Sequence, residues 1–94
     1  MPEDATTLSR HPEAADSRVG DETVILHLGS GTYFGLDPVG TRIWELLAVP
    51  LTMADLRERL LAEFIVAPEV LAQDMAAFLG QMLDHGILVA EAPD

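Results

Sequence analysis

The chain has no cysteine and no lysine. The first absence excludes disulfides, thiolate chemistry and any cysteine-based zinc or iron–sulfur centre, and it fits a cytoplasmic protein. The second leaves five arginines as the only lysine- or arginine-type cations against sixteen acidic residues, a formal net charge of −11. A phosphate backbone needs a positive footprint, so nucleic-acid binding is not expected. Anionic membrane surfaces are disfavoured for the same reason. Long apolar runs are missing too, because charged residues interrupt every stretch after a few positions, and no membrane span is expected. Residues Met1 to Glu13 lack the basic start and apolar run of a signal peptide. A partner steered by this charge is a cationic or neutral peptide.

What is present is enough for one small core. Of the 94 residues, 49% are hydrophobic, which places the chain among folded globular domains and not among disordered ones. Residues 1–12 are polar and acidic and are expected to form a flexible N-terminal tail, leaving residues 13–94 as the domain.

Ala14 to Val19 is a weakly patterned first strand. Thr23 to Leu28 alternates Val24, Leu26 and Leu28 with Thr23, Ile25 and His27, the period of a strand. After Gly29-Ser30-Gly31, Thr32 to Leu36 resumes with β-prone residues, so a β-hairpin is expected. Asp37-Pro38 then opens a helix, as an N-cap acceptor followed by proline at the first helical position. Its apolar side carries Val39, Ile43, Trp44 and Leu47. Thr52 caps a second helix with Leu56, Leu60, Leu61 and Phe64 at helical spacing. Ala67-Pro68-Glu69 opens a third, in which Leu71, Met75, Phe78 and Met82 lie along one line, and the apolar arc spans close to half the circumference. Gly86 is its expected C′ residue, and Ile87 to Ala90 returns as a short strand. The order gives an α+β, winged helix-turn-helix-like domain, a three-stranded antiparallel sheet followed by three helices.

Catalytic constellations are not evident. His11, His27 and His85 stand far apart with no carboxylate at metal-ligand spacing, so no metal site is expected. Ser17 and Ser30 lie in no nucleophile elbow, and Gly29-Ser30-Gly31 is followed by no Gly-Lys-Ser/Thr phosphate loop. Acids that fall close together, such as Asp21 and Glu22, read as a solvated loop. Neither enzymatic activity nor a cofactor is expected.

Two features could bind a partner. Thr32 to Leu36 is an outer strand if the sheet is a simple meander, and an unpaired β-prone edge accepts a further strand. The pattern leaves open whether the chain itself covers that edge. The wide arc of the third helix is the other feature. Met75 and Met82 are either plain core or the wall of an exposed groove, and the periodicity fits both.

The stretch from Leu28 to Leu47, with Tyr33-Phe34-Gly35-Leu36-Asp37-Pro38 turning into a helix that bears Ile43-Trp44-Glu45-Leu46-Leu47, resembles the PqqD-like family. Asp74 and Phe78-Leu79 in the third helix and Gly86-Ile87-Leu88-Val89 extend the resemblance over roughly residues 14 to 90. Members of that family are RiPP recognition elements, which bind the leader part of ribosomally made precursor peptides. The Trp44-bearing helix and the length look most like the stand-alone recognition proteins of lasso-peptide pathways, which present the precursor to a leader peptidase and then a cyclase. Val49-Pro50 departs from the acidic-glycine turn of the sister protein that serves a radical enzyme in pyrroloquinoline quinone formation.

The resemblance implies a leader strand laid along Thr32 to Leu36, with backbone bonds from Thr32, Tyr33, Phe34 and Gly35. Val70, Leu71, Asp74, Met75 and Phe78 would line the helix side, and Trp44 would be core. Whether Tyr33 or Phe34 turns into the groove stays open, since a one-residue slip reverses the faces. Two readings of other classes stand beside this one. A winged-helix DNA-binding regulator needs basic residues on the third helix, which has none. A non-catalytic subunit of a larger enzyme would co-purify with that enzyme without any peptide.

Overall fold

The structure, a computed structural model, describes residues 3–20 and 22–93. Met1 and Pro2 of the expected tail, and Asp21 of the expected acidic loop, lie outside the described residues. Strands β1 (Thr7–Arg10), β2 (Ala14–Val19), β3 (Glu22–His27) and β4 (Thr32–Leu36) precede helix α1 (Pro38–Leu46). The two-residue β5 (Leu51–Thr52), α2 (Met53–Glu63), α3 (Pro68–Asp84) and β6 (Leu88–Glu91) complete the chain. Two antiparallel three-stranded sheets result, one in the order β2-β3-β4 and one in the order β5-β1-β6. The first is the sheet expected from the hairpin pattern. The second was not expected.

Alternation decides which face of the first sheet is inside. Ile25 is fully buried and pairs with Phe34, while Thr23, also buried, pairs with Leu36. The inner row of the hairpin is therefore Thr23, Ile25 and His27 with Thr32, Phe34 and Leu36, and Tyr33 points the other way. Behind the sheet, Ile43, Trp44, Leu47, Leu56, Leu60, Leu71, Met75 and Leu79 join it in one core.

The helix ends follow the expected chemistry. Asp37 Oδ1 accepts the Gly40 N–H at 2.6 Å, and Thr52 Oγ1 accepts that of Asp55 at 3.1 Å. At the end of α3, Gly86 takes φ +71°, Ile87 N–H donates to Met82 O at 2.9 Å, and Gly86 N–H donates to Leu83 O at 3.2 Å. This pair of bonds is the Schellman motif, and its left-handed residue is tolerated best as glycine. It turns the chain directly into β6.

The flexible-tail expectation is corrected for Thr7–Arg10. These residues form the central strand of the second sheet, paired with Leu51–Thr52 on one side and Leu88–Glu91 on the other. Leu8 is fully buried. Arg10 lies 4.1 Å over the Trp44 ring and donates to Trp44 O, while the Trp44 indole N–H reaches Asp16 Oδ2 at 3.1 Å. Trp44 is a core residue at 3% exposure. One apolar residue in Thr7-Leu8-Ser9-Arg10 is too little for a periodicity argument, and its partners lie more than forty positions away in sequence.

Ahead of β1, Asp4 O and Thr6 O accept the N–H groups of Ala54 and Met53, two of the orphan donors of α2. The Asp4 carboxylate also binds Arg57 at 2.9 Å. Its hydrogen bond and charge attraction to the guanidinium hold the Asp4 carboxyl below its ordinary value. The pair therefore favours the fold above the ordinary carboxylate range, and that contribution is lost as the pH falls through the lowered value. Arg57→Gln should raise the Asp4 titration midpoint toward the ordinary carboxylate value, followed by NMR of the side-chain carbonyl. A midpoint that does not move would mean the contact is not made in solution.

Candidate functional site

The first sheet has an open side at β4, because among the described residues β4 pairs only with β3. Which of its groups are free follows from the ladder. Leu28 N–H donates to Glu13 O at 2.9 Å, toward the β2 side. Successive residues of a strand send their amides to opposite sides. Val24, Leu26 and Leu28 thus serve β2, and Thr23, Ile25 and His27 serve β4. By register these three meet Leu36, Phe34 and Thr32. Tyr33 and Gly35 are left with N–H and C=O groups directed outward. An antiparallel or parallel strand laid beside β4 would bond to these two residues.

Opposite this edge stands α3, and between them runs a groove of about 580 Å³. Its β4 side is formed by Tyr33, Phe34, Gly35, Leu36 and the helix cap Asp37, and its helix side by Asp74, Ala77, Phe78, Gln81 and Met82. Phe34 is half-buried on the inner row and packs at 4.8 Å against the ring of His85, the C-cap of α3. Tyr33 is 69% exposed on the outer face.

Among the sequence-derived candidates, Tyr33, Phe34, Gly35, Leu36, Asp74 and Phe78 come together around the groove. Four do not. Leu71 and Met75 are buried in the core at 1% and 0% exposure, Val70 is exposed near the start of α3, and Thr32 sits at the hairpin end, none of them in the groove wall. The reason is one of helix phase. Leu71 and Met75 face the core, Phe78 and Met82 further along the same line reach the groove's inner border, and the adjacent line through Asp74, Ala77 and Gln81 forms its helix wall. Asp37, Ala77 and Gln81 were not among the candidates, and of the two methionines read as either core or groove wall, Met82 borders the groove. For Ala77 and Gln81 the i+3 and i+7 spacing from Asp74 was the available signal.

The groove carries acid and no base. Asp37 and Asp74 line it, and none of the five arginines does. Arg10 rests on Trp44, Arg18 donates to Thr23 Oγ1, and Arg42 and Arg57 pair with Glu63 and Asp4. Asp37 spends one oxygen on its helix cap, so Asp74 is the freer charge.

The histidine expectation also needs correction. Distant in sequence, His11 and His27 meet in space at 5.8 Å between ring centroids. The Glu13 carboxylate lies 3.7 Å from His27 Nε2. One potential ligand atom from each of these residues falls within 4.8 Å of the others. The β2–β3 pairing, which aligns Ala14 with His27, creates this neighbourhood.

An unpaired strand edge facing a groove with one free acid defines an α+β domain with the geometry of a strand-accepting module. The chain belongs to the PqqD family: the family model described as Coenzyme PQQ synthesis protein D matches residues 22–88. Among solved structures, it is similar to TbiB1 in complex with the TbiA(beta) leader peptide. That likeness has TM-score 0.78 and 33% identity, covering 90% of this chain and 99% of the other. Lasso peptide synthetase B1 complexed with the leader peptide shares the fold, with TM-score 0.69 and 22% identity over 87% of this chain and 96% of that one. A comparison with curated proteins found no match.

Proposed function

We propose that this protein binds the leader region of a ribosomally made precursor peptide by strand addition to β4 and presents it to a leader peptidase and a cyclase in lasso-peptide maturation. The observation that carries the reading is the free edge at Tyr33 and Gly35 bordering the groove against α3. Support comes from the 33% identity to TbiB1, which was solved with a leader peptide. On this reading the protein is a cytoplasmic adaptor without catalysis of its own.

A fluorescently labelled leader peptide from a precursor gene beside this one should bind at about −8 kcal/mol or better, roughly micromolar. No binding to any such precursor would sink the proposal. The family description favours a second reading, a peptide chaperone for a radical enzyme in cofactor or other peptide modification. The two separate by partner. Peptide-dependent pull-down of a peptidase supports the first, and of a radical enzyme the second.

Asp74 makes the charge preference testable. With no arginine in the groove, a leader residue opposite Asp74 is expected to be basic. Asp74→Lys should weaken binding about tenfold, equivalent to ~1.4 kcal/mol. Raising salt should narrow the gap between the two proteins, because partly exposed charges are screened. Equal affinities at low salt would remove Asp74 from the contact.

A further inference from the structure

We propose that His11, Glu13 and His27 form a site for a zinc-class divalent cation, separate from the groove. Two imidazoles and one carboxylate are a recognised zinc donor set that leaves a fourth position for water. All three residues are fixed through their backbones. His11 N–H donates to Ile87 O and Glu13 O accepts from Leu28 N–H, each at 2.9 Å. His27 is held in β3 by Ala14 on one side and Thr32 on the other. Donors carried on such rigid segments need only side-chain rotation to converge.

The distances are close to what a cation requires. Ligand atoms around tetrahedral zinc stand roughly 3.3 Å apart, from bonds of about 2.0–2.1 Å. The His27 Nε2 to Glu13 Oε2 separation is 3.7 Å, and the whole set lies within 4.8 Å. Glu13 is 54% exposed and free to swing inward. Gly86 lies against the cluster on the other side. A Cβ there would stand 3.2 Å from His27 Nε2, so the glycine that ends α3 also leaves that nitrogen accessible.

Hydrogen placement sets the strength of the site. Without metal, His11 Nδ1 accepts the Glu13 N–H at 3.0 Å and His27 Nδ1 accepts the Ser30 N–H at 3.1 Å. Neutral rings in that arrangement carry their hydrogen on Nε2. Ligation through Nε2 moves it to Nδ1. His27 then gives up the Ser30 N–H, but an acceptor is at hand in Ser30 Oγ, 3.3 Å away and itself 3.0 Å from Thr32 Oγ1. His11 has no such acceptor and gives up its contact with Glu13 N–H. Lacking that outer partner costs about 10–100-fold in affinity. A bound cation would tie the β1–β2 corner to the end of the β3–β4 hairpin.

The test is a calorimetric titration of the tag-free chain with zinc chloride, paired with NMR of the histidine ring nitrogens. One zinc should bind per chain, moving the His11 and His27 rings while His85, beside Phe34, serves as the unmoved control. His11→Ala and Glu13→Gln should each weaken binding at least tenfold. Both leave the β3 ladder intact, so the test does not depend on the folding of His27→Ala. Absence of one-to-one binding, equal movement of His85, or unchanged affinity in His11→Ala and Glu13→Gln would each overturn the proposal.

Discussion

Tyr33→Pro should weaken leader-peptide binding roughly 30-fold or more while the domain stays folded. Proline removes the backbone N–H, and at Tyr33 that group points away from β3, so no ladder bond is broken. Edge strands tolerate proline at such outward positions. The docked peptide, in contrast, loses a donor and keeps a carbonyl without a partner. Losses of that kind total about 2 kcal/mol, equivalent to the 30-fold change. Tyr33→Ala keeps the N–H and separates the role of the ring from that of the backbone. Phe34→Pro is the contrasting variant. Its N–H is committed to the Ile25 pairing and its ring is half-buried, so a loss of about 3 kcal/mol in stability is expected. Fluorescence anisotropy and urea melts on the three variants decide the matter. A folded Tyr33→Pro protein with unchanged affinity would mean that no strand adds to this edge.

Leu8→Ala should cost about 2–5 kcal/mol, the range for emptying a fully buried leucine site. A small domain with stability of about 5–15 kcal/mol does not absorb such a loss easily. The expectation rests on Leu8 being fully buried at the centre of a strand paired on both sides. A truly flexible tail would show no change. Urea unfolding of Leu8→Ala, with the exposed Ser17→Ala as a neutral comparison, separates the two. A shift below about 0.5 kcal/mol, within the ordinary range of surface substitutions, would restore the tail reading.

The parts legible in the sequence were those whose signals are local. Asp37-Pro38 and Thr52 announce helix starts within four residues, and Gly86 announces a stop. The β3–β4 hairpin shows as two β-prone runs around a glycine-rich turn. Long-range pairing leaves no such trace. The second sheet joins three segments of two to four residues from different parts of the chain, each too short to show a period of its own. The groove was half legible. Its strand was identified, but whether its edge was open depended on sheet order, which pattern alone does not reveal. On α3 the apolar arc is too wide to show which side faces the strand, so it does not separate Leu71 and Met75, which the resemblance assigns to the groove, from the boundary line through Asp74 and Gln81 that forms it. His11 and Glu13 could not be connected to His27 before the β2–β3 register was known.

The second sheet also orders events in time. As the chain leaves the ribosome, Thr7–Arg10 emerges before every other strand of the two sheets, yet its longer partner, Leu88–Glu91, emerges after all of them. Until then Leu8 has only the two residues of β5 beside it. The β2-β3-β4 meander, whose contacts are local, is free to assemble much earlier. The groove wall on α3 comes later, followed within a few residues by the strand that locks β1. Vectorial synthesis thus makes β1 the first of these six strands produced and the last completed.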